Sequence, residues 1–136
     1  MPRPHFNSAS ATGPNSDGSL DINFKFSGLG ANVTITVTAS ASASAVYACR
    51  NKGGNFPSDP KKTDETGTVM ASGDFTSGKN GSFQGLLQLD PPPSDLTCPG
   101  GQRRVLVSVT YSNVTLTGGG DTFHIPGTFT RTFFNI

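Results

Sequence analysis

Between Val33 and Cys49 the chain alternates without a break. Val33, Ile35, Val37, Ala39, Ala41, Ala43, Ala45 and Tyr47 hold the odd positions, with Thr34, Thr36, Thr38, Ser40, Ser42 and Ser44 between them. Successive side chains of a strand point to opposite faces, so the run has one apolar side and one hydroxyl side, whereas a helix would scatter both types around its circumference. The run is more than twice the usual five or six residues of a strand. It is therefore expected to bend near its Ala/Ser centre or to cross between two sheets, and its small residues should let another layer approach closely.

The same rhythm recurs along the chain. Leu20, Ile22, Phe24 and Phe26 alternate with Asp21, Asn23, Lys25 and Ser27, the pattern of a sheet with one wet side. Val69, Ala71 and Phe75 continue it, as do Phe83, Leu87 and Leu89. Asn80-Gly81 lies between these two segments, and Asn-Gly suits the positive φ angles of a hairpin turn, so Val69 to Ser77 is expected to pair with Ser82 to Leu89. Val105, Val107, Val109 and Tyr111 share one parity while Val114 and Leu116 have the other, which predicts a β-bulge near Ser112-Asn113 that keeps both halves facing the core. With His5 to Thr12, Phe123 to Ile125 and a last strand at Phe129, about eight strands result.

These elements predict an all-β fold, a two-sheet antiparallel sandwich of Ig-like or Greek-key type. The 136 residues fit one domain, 1–136, with residues 1–5 as a flexible N-terminal segment. Seventeen glycines, ten prolines and 14% charged residues fit neither a helical bundle nor a highly charged disordered tail. Two segments lack alternation. Arg50 to Glu65 reads as a long loop, and Asp90 to Gly101 carries Pro91-Pro92-Pro93, which cannot join a ladder.

Chemistry is sparse. No nucleophile elbow, phosphate loop, paired-His zinc motif or Cys-x-x-Cys occurs, so no catalytic residue, metal or cofactor is assigned. His5 lies near a terminus, and His124, between Phe123 and Ile125, reads as an outward-facing strand residue. Asn15-Ser16-Asp17-Gly18-Ser19-Leu20-Asp21 resembles part of a calcium loop but lacks the closing glutamate, and an ordinary Asn/Asp/Gly turn explains it. A formal charge of +1 provides no field for nucleic acid. No apolar run is long enough to span a bilayer, and the absence of an apolar stretch after Met1-Pro2-Arg3-Pro4 suggests a processed form.

Cys49 and Cys98 can form one intramolecular bridge; two free buried thiols are the alternative. A bridge would tie the two irregular segments together and gather Arg50, Lys52, Asn55, Phe56, Gln102 and Arg103 at one end of the sandwich, where loops on a rigid scaffold bind ligands. The competing reading is a solvated patch partly neutralised by Asp59, Asp64 and Glu65.

The stretches Tyr47-Ala48-Cys49-Arg50-Asn51-Lys52-Gly53-Gly54-Asn55 and Cys98-Pro99-Gly100-Gly101-Gln102, with Asn15 to Leu20, Gly28-Leu29-Gly30 and Lys79-Asn80-Gly81, resemble a group of small secreted bacterial proteins of unassigned function. The likeness runs from about Phe6 to Phe129. It implies export and a Cys49–Cys98 disulfide, and it brings no catalytic residue. The expected function is a secreted, non-enzymatic binding or surface-interaction module for a carbohydrate or cell-surface ligand. The alternative is a structural or self-assembling exported protein using its Thr/Ser faces; a hydrolase built on Asp59, Asp64 and Glu65 is a third class.

Overall fold

The computed structural model describes residues 3–136, and their regular elements are strands: β1 (His5–Thr12), β2 (Leu20–Ser27), β3 (Thr34–Asn51), β4 (Lys62–Thr76), β5 (Phe83–Leu89), β6 (Gln102–Gly118), β7 (Asp121–Ile125) and β8 (Phe129–Thr132). They form two antiparallel sheets, as the alternation predicts. One has the order β1-β2-β5; the other has β4-β3-β6, with β7 and β8 in tandem along the far side of β6. The β2–β5 and β3–β6 pairings each join strands three apart in the chain, so the two sheets interlock. Of the expected flexible segment 1–5, Met1 and Pro2 lie outside the described residues, and His5 already sits opposite Ser27 in β1.

The core follows from parity. In β3, Val37, Ala39, Ala41, Ala43 and Ala45 are all buried while Thr34, Thr36, Ser42 and Ser44 are exposed. The alanines share one cluster with the large side chains of the opposite sheet, Leu20, Ile22, Phe24, Phe26, Leu87 and Leu89, so small residues on one layer make room for large ones on the other. Phe6 meets Phe26 edge-on at 4.8 Å, and Phe24 meets Phe75 at 5.2 Å. At Gly85, opposite Phe24 in the ladder, an added Cβ would lie 2.5 Å from the Phe24 ring and 2.7 Å from Phe75. Only glycine leaves space for the two rings there.

The bulge in β6 lies where the parity change predicts it. Ser40 pairs with Thr115 and Ser42 with Ser112, leaving an extra residue on β6, and Asn113 adopts φ 53°. Tyr111, Val114 and Leu116 are thereby all buried. A second irregularity opposite Val46/Tyr47 was not anticipated: Ser108 pairs with Val46 and Leu106 with Tyr47. It flips the first part of β6, so Leu106, in place of Val105 and Val107, packs against the main cluster.

Three expectations need correction. β3 does not cross between the sheets; it pairs with β4 from Thr34 to Ala48 and with β6 from Thr38 to Asn51, with a shift of register against β6 at Ser40/Ser42 in its Ala/Ser centre. The expected pairing of Val69–Ser77 with Ser82–Leu89 does not form. The Asn80-Gly81 turn is present, closed by the Gly78 amide on the Ser82 carbonyl at 3.0 Å, but β4 pairs with β3 and β5 with β2. Phe75 and Phe83 both point inward and stack at 5.4 Å, so the two strands face each other across the core and do not flank each other in one ladder. The turn docks onto the Gly28–Gly30 loop through Leu29 N–H to the Gly81 carbonyl, 3.1 Å. Finally, the loop Arg50 to Glu65 is shorter than expected. Arg50 and Asn51 end β3, and Lys62 to Glu65 open β4 opposite Ala48 to Ala45, because an edge strand with a wet face accepts polar residues.

Candidate functional site

The ends of β3 and β6, the start of β4 and the segment Asp90–Gly101 converge on the Cys49–Cys98 disulfide, whose Cα atoms are 5.5 Å apart. Cys49 is fully buried. Such a bond persists in an oxidising compartment. The proline-rich segment makes no ladder, and side chains hold it instead. The Tyr47 hydroxyl donates to the Pro92 carbonyl at 2.7 Å, Arg104 Nη1 to those of Ser94 at 2.5 Å and Leu96 at 3.3 Å, and Lys61 Nζ to that of Thr97 at 3.0 Å. Burial pushes the Tyr47 phenol above its ordinary pKa, so it stays a donor through the neutral range.

The six candidate residues do come together. Arg50 is opposite Arg103 and Asn51 opposite Gln102 across the β3–β6 ladder. Lys52 N–H donates to the Gly101 carbonyl at 3.0 Å, and Asn51 N–H to the Asn55 carbonyl at 2.8 Å. Their roles divide. Lys52, Asn55 and Arg103 are exposed, Gln102 half-buried. Arg50 and Phe56 are committed within the fold: the Arg50 guanidinium lies 4.5 Å from the Phe134 ring centre and 5.5 Å from that of Phe56, and donates through Nε and Nη2 to the Gly54 carbonyl. Phe56 and Phe134 meet edge-on at 5.2 Å.

Phe134 and the bracing role of Arg104 are the functional features that sequence reasoning missed. Phe134 is delivered by the chain after β8, where the Phe133 N–H donates to the Val107 carbonyl at 2.7 Å. Nothing near Phe134 in the sequence points to a partner 84 positions away; only the parity of Arg50, opposite to that of Cys49, indicates which face needs cover.

The other candidates are scattered. Asp64 and Glu65 are consecutive strand residues opposite Val46 and Ala45, so they point to opposite faces, and Asp59 lies on the exposed loop. They share no surface on which two carboxylates could work together. In the Asn15–Asp21 turn, Asp17 Oδ1 accepts from the Ser19 amide at 3.0 Å and from its hydroxyl at 2.5 Å, which holds the Asp17 carboxyl below its ordinary pKa. Among the described residues no three His, Cys, Asp or Glu side chains gather as a metal would need. His124 is exposed, its Nδ1 3.3 Å from Thr115 Oγ1.

Away from this end, the outer face of the larger sheet is paved with hydroxyls. Thr38–Ser72–Thr117, Ser42–Thr68–Ser112 and Ser44–Thr66–Thr110 lie in rows across β4, β3 and β6. A shallow groove of about 380 Å³ opens there over Gly67. Among the described residues no helix is long and apolar enough to cross a membrane. No protein-family model, curated protein or solved structure matches the chain.

Proposed function

We propose that this protein is an exported, non-enzymatic binding module that recognises a carbohydrate of the cell envelope, one carrying acidic groups, through its disulfide-tied end. The observation that supports it is the gathering of exposed Lys52, Asn55 and Arg103 around the Arg50–Phe56–Phe134 cluster. The cations suit phosphate or carboxylate oxygens, the amide suits sugar hydroxyls, and the cluster and the bridge remove the ordering cost that a free loop would incur on binding. In this reading Arg50 and Phe56 build the platform while Lys52, Asn55 and Arg103 make the contacts; Gln102, paired with Asn51, lies on the other face of β6. Export belongs to the same proposal, as does kinship with small secreted bacterial proteins; the buried disulfide favours both.

Binding to a panel of acidic and neutral envelope polysaccharides tests it. Acidic members should bind, and Lys52→Ala with Arg103→Ala should weaken them by about tenfold or more, since hydrogen bonds to charged groups are the strong ones. Retention of no polysaccharide, or binding indifferent to the double substitution, would reject the proposal. The self-assembling alternative draws on the hydroxyl rows of the larger sheet.

A further inference from the structure

β4 is the outermost strand of the larger sheet, 15 residues long and paired only with β3. Its other side therefore presents a row of backbone donors and acceptors, a template for one more strand. Such edges are guarded by charge, and here the charges select a partner. The even residues of β4 lie on the hydroxyl face with Thr34, Thr36 and Thr38, and the odd residues turn inward. A second strand that continues both faces must match even with even.

We propose that two copies of this chain pair through antiparallel β4 edges about a two-fold axis at Thr68, joining their larger sheets into one. In this register Lys62 of each copy stands opposite Asp74 of the other, at both ends of the seam. Asp64 faces Ser72, Thr66 faces Met70, Glu65 faces Ala71 and Gly67 faces Val69. Cross-strand opposite charges stabilise and like charges repel. Moving the axis to Val69 would set Asp64 against Asp74 twice, and moving it to Gly67 would remove both Lys–Asp pairs and bring Pro60 opposite Asp74. The Thr68 register also sets Thr66 of the second copy beside Met70, the most exposed large apolar side chain among the described residues at 66%. The Ser112–Ser42–Thr68 row then continues directly into its own copy across the seam. The pairing is independent of the recognition end.

Sedimentation velocity across a concentration series is the first test: the mass should rise toward twice 14.1 kDa, and a constant monomer mass overturns the proposal. The register is tested by cysteine trapping, since the chain has no free thiol. Thr68→Cys should oxidise to a covalent dimer, its two copies being directly opposite, while Ser72→Cys should not, its copies being about 27 Å apart along the seam. Equal trapping of both, or of neither, rejects the register. Asp74→Lys should weaken dimerisation by about tenfold, and adding Lys62→Asp should restore it. All four positions are exposed and outside the core, so circular dichroism should remain that of the parent.

Discussion

The phenol of Tyr111, in β6 of the larger sheet, donates a 2.6 Å hydrogen bond to the carbonyl of Gly18, in the turn that feeds β2 of the smaller sheet. The Leu89 carbonyl, at the end of β5, is a second and longer acceptor at 3.4 Å. One fully buried side chain thus fastens the two sheets at the end where their connections crowd together. Tyr111→Phe keeps the ring and removes the donor, stranding the Gly18 carbonyl. It should lower stability by about 1–3 kcal/mol, read as a shifted urea midpoint at unchanged slope.

The same phenol, with Tyr47, gives the fold an alkaline limit. Burial pushes both above the ordinary tyrosine value. In the unfolded chain they ionise near pH 10, while the folded chain keeps them neutral. The unfolded state therefore sheds protons first. This contribution to stability is fully present below about pH 10 and is lost as the pH rises toward the folded values. A melting-temperature profile should fall above about pH 10 and should fall less steeply in Tyr111→Phe; identical slopes would show that Tyr111 plays no part.

Replacing both Cys49 and Cys98 with alanine should cost about 4 kcal/mol in the chain-entropy model, given the 49-residue separation. The remaining anchors of the proline-rich segment are the hydrogen bonds from Tyr47, Arg104 and Lys61. Limited proteolysis should therefore first nick the double variant between Asp90 and Arg104. Cleavage spread evenly over the chain would mean that the bridge stabilises the whole fold and does not specifically hold this segment.

Strand parity carried most of the fold because each alternating run has only one face that can be buried. It located β3, β2 and the bulge near Asn113, where Tyr111 and Val114 must both point inward. It could not say which strand pairs with which. The Asn80-Gly81 turn looks the same in sequence whether it joins neighbours in one sheet or facing strands of two; the choice lies with Phe75 and Phe83, which stack across the core. Proximity at this end was legible because a disulfide dictates it: the bridge brings Lys52, whose N–H meets the Gly101 carbonyl, beside the start of β6. The commitment of Arg50 and Phe56 to Phe134 depends on the path of the C-terminal tail along β6, and no local pattern encodes that path.

At Asn113 the left-handed backbone is tolerated because asparagine visits this region more readily than other non-glycine residues. Asn113→Gly should therefore be nearly neutral. Asn113→Val places a β-branched side chain at positive φ and should destabilise by about 1–2 kcal/mol. Equal midpoints for the two variants in chemical denaturation would show that the bulge shifts to another residue.

Arg50 is the residue at which platform and ligand contact must be told apart. Its guanidinium lies against both Phe134 and Phe56 and is bonded to the Gly54 carbonyl, an arrangement in which the cation–ring contact with each contributes about 0.5–2 kcal/mol. A double-mutant cycle of Arg50→Ala with Phe134→Leu should therefore give a coupling of that size in unfolding free energy. Strict additivity would mean that the tail and the β3 terminus are independent. Phe134→Leu leaves the cations of Lys52 and Arg103 in place, so any loss of polysaccharide binding in that variant would come from a loosened platform; its signature is a faster off-rate at unchanged salt dependence, whereas Lys52→Ala should reduce the salt dependence itself.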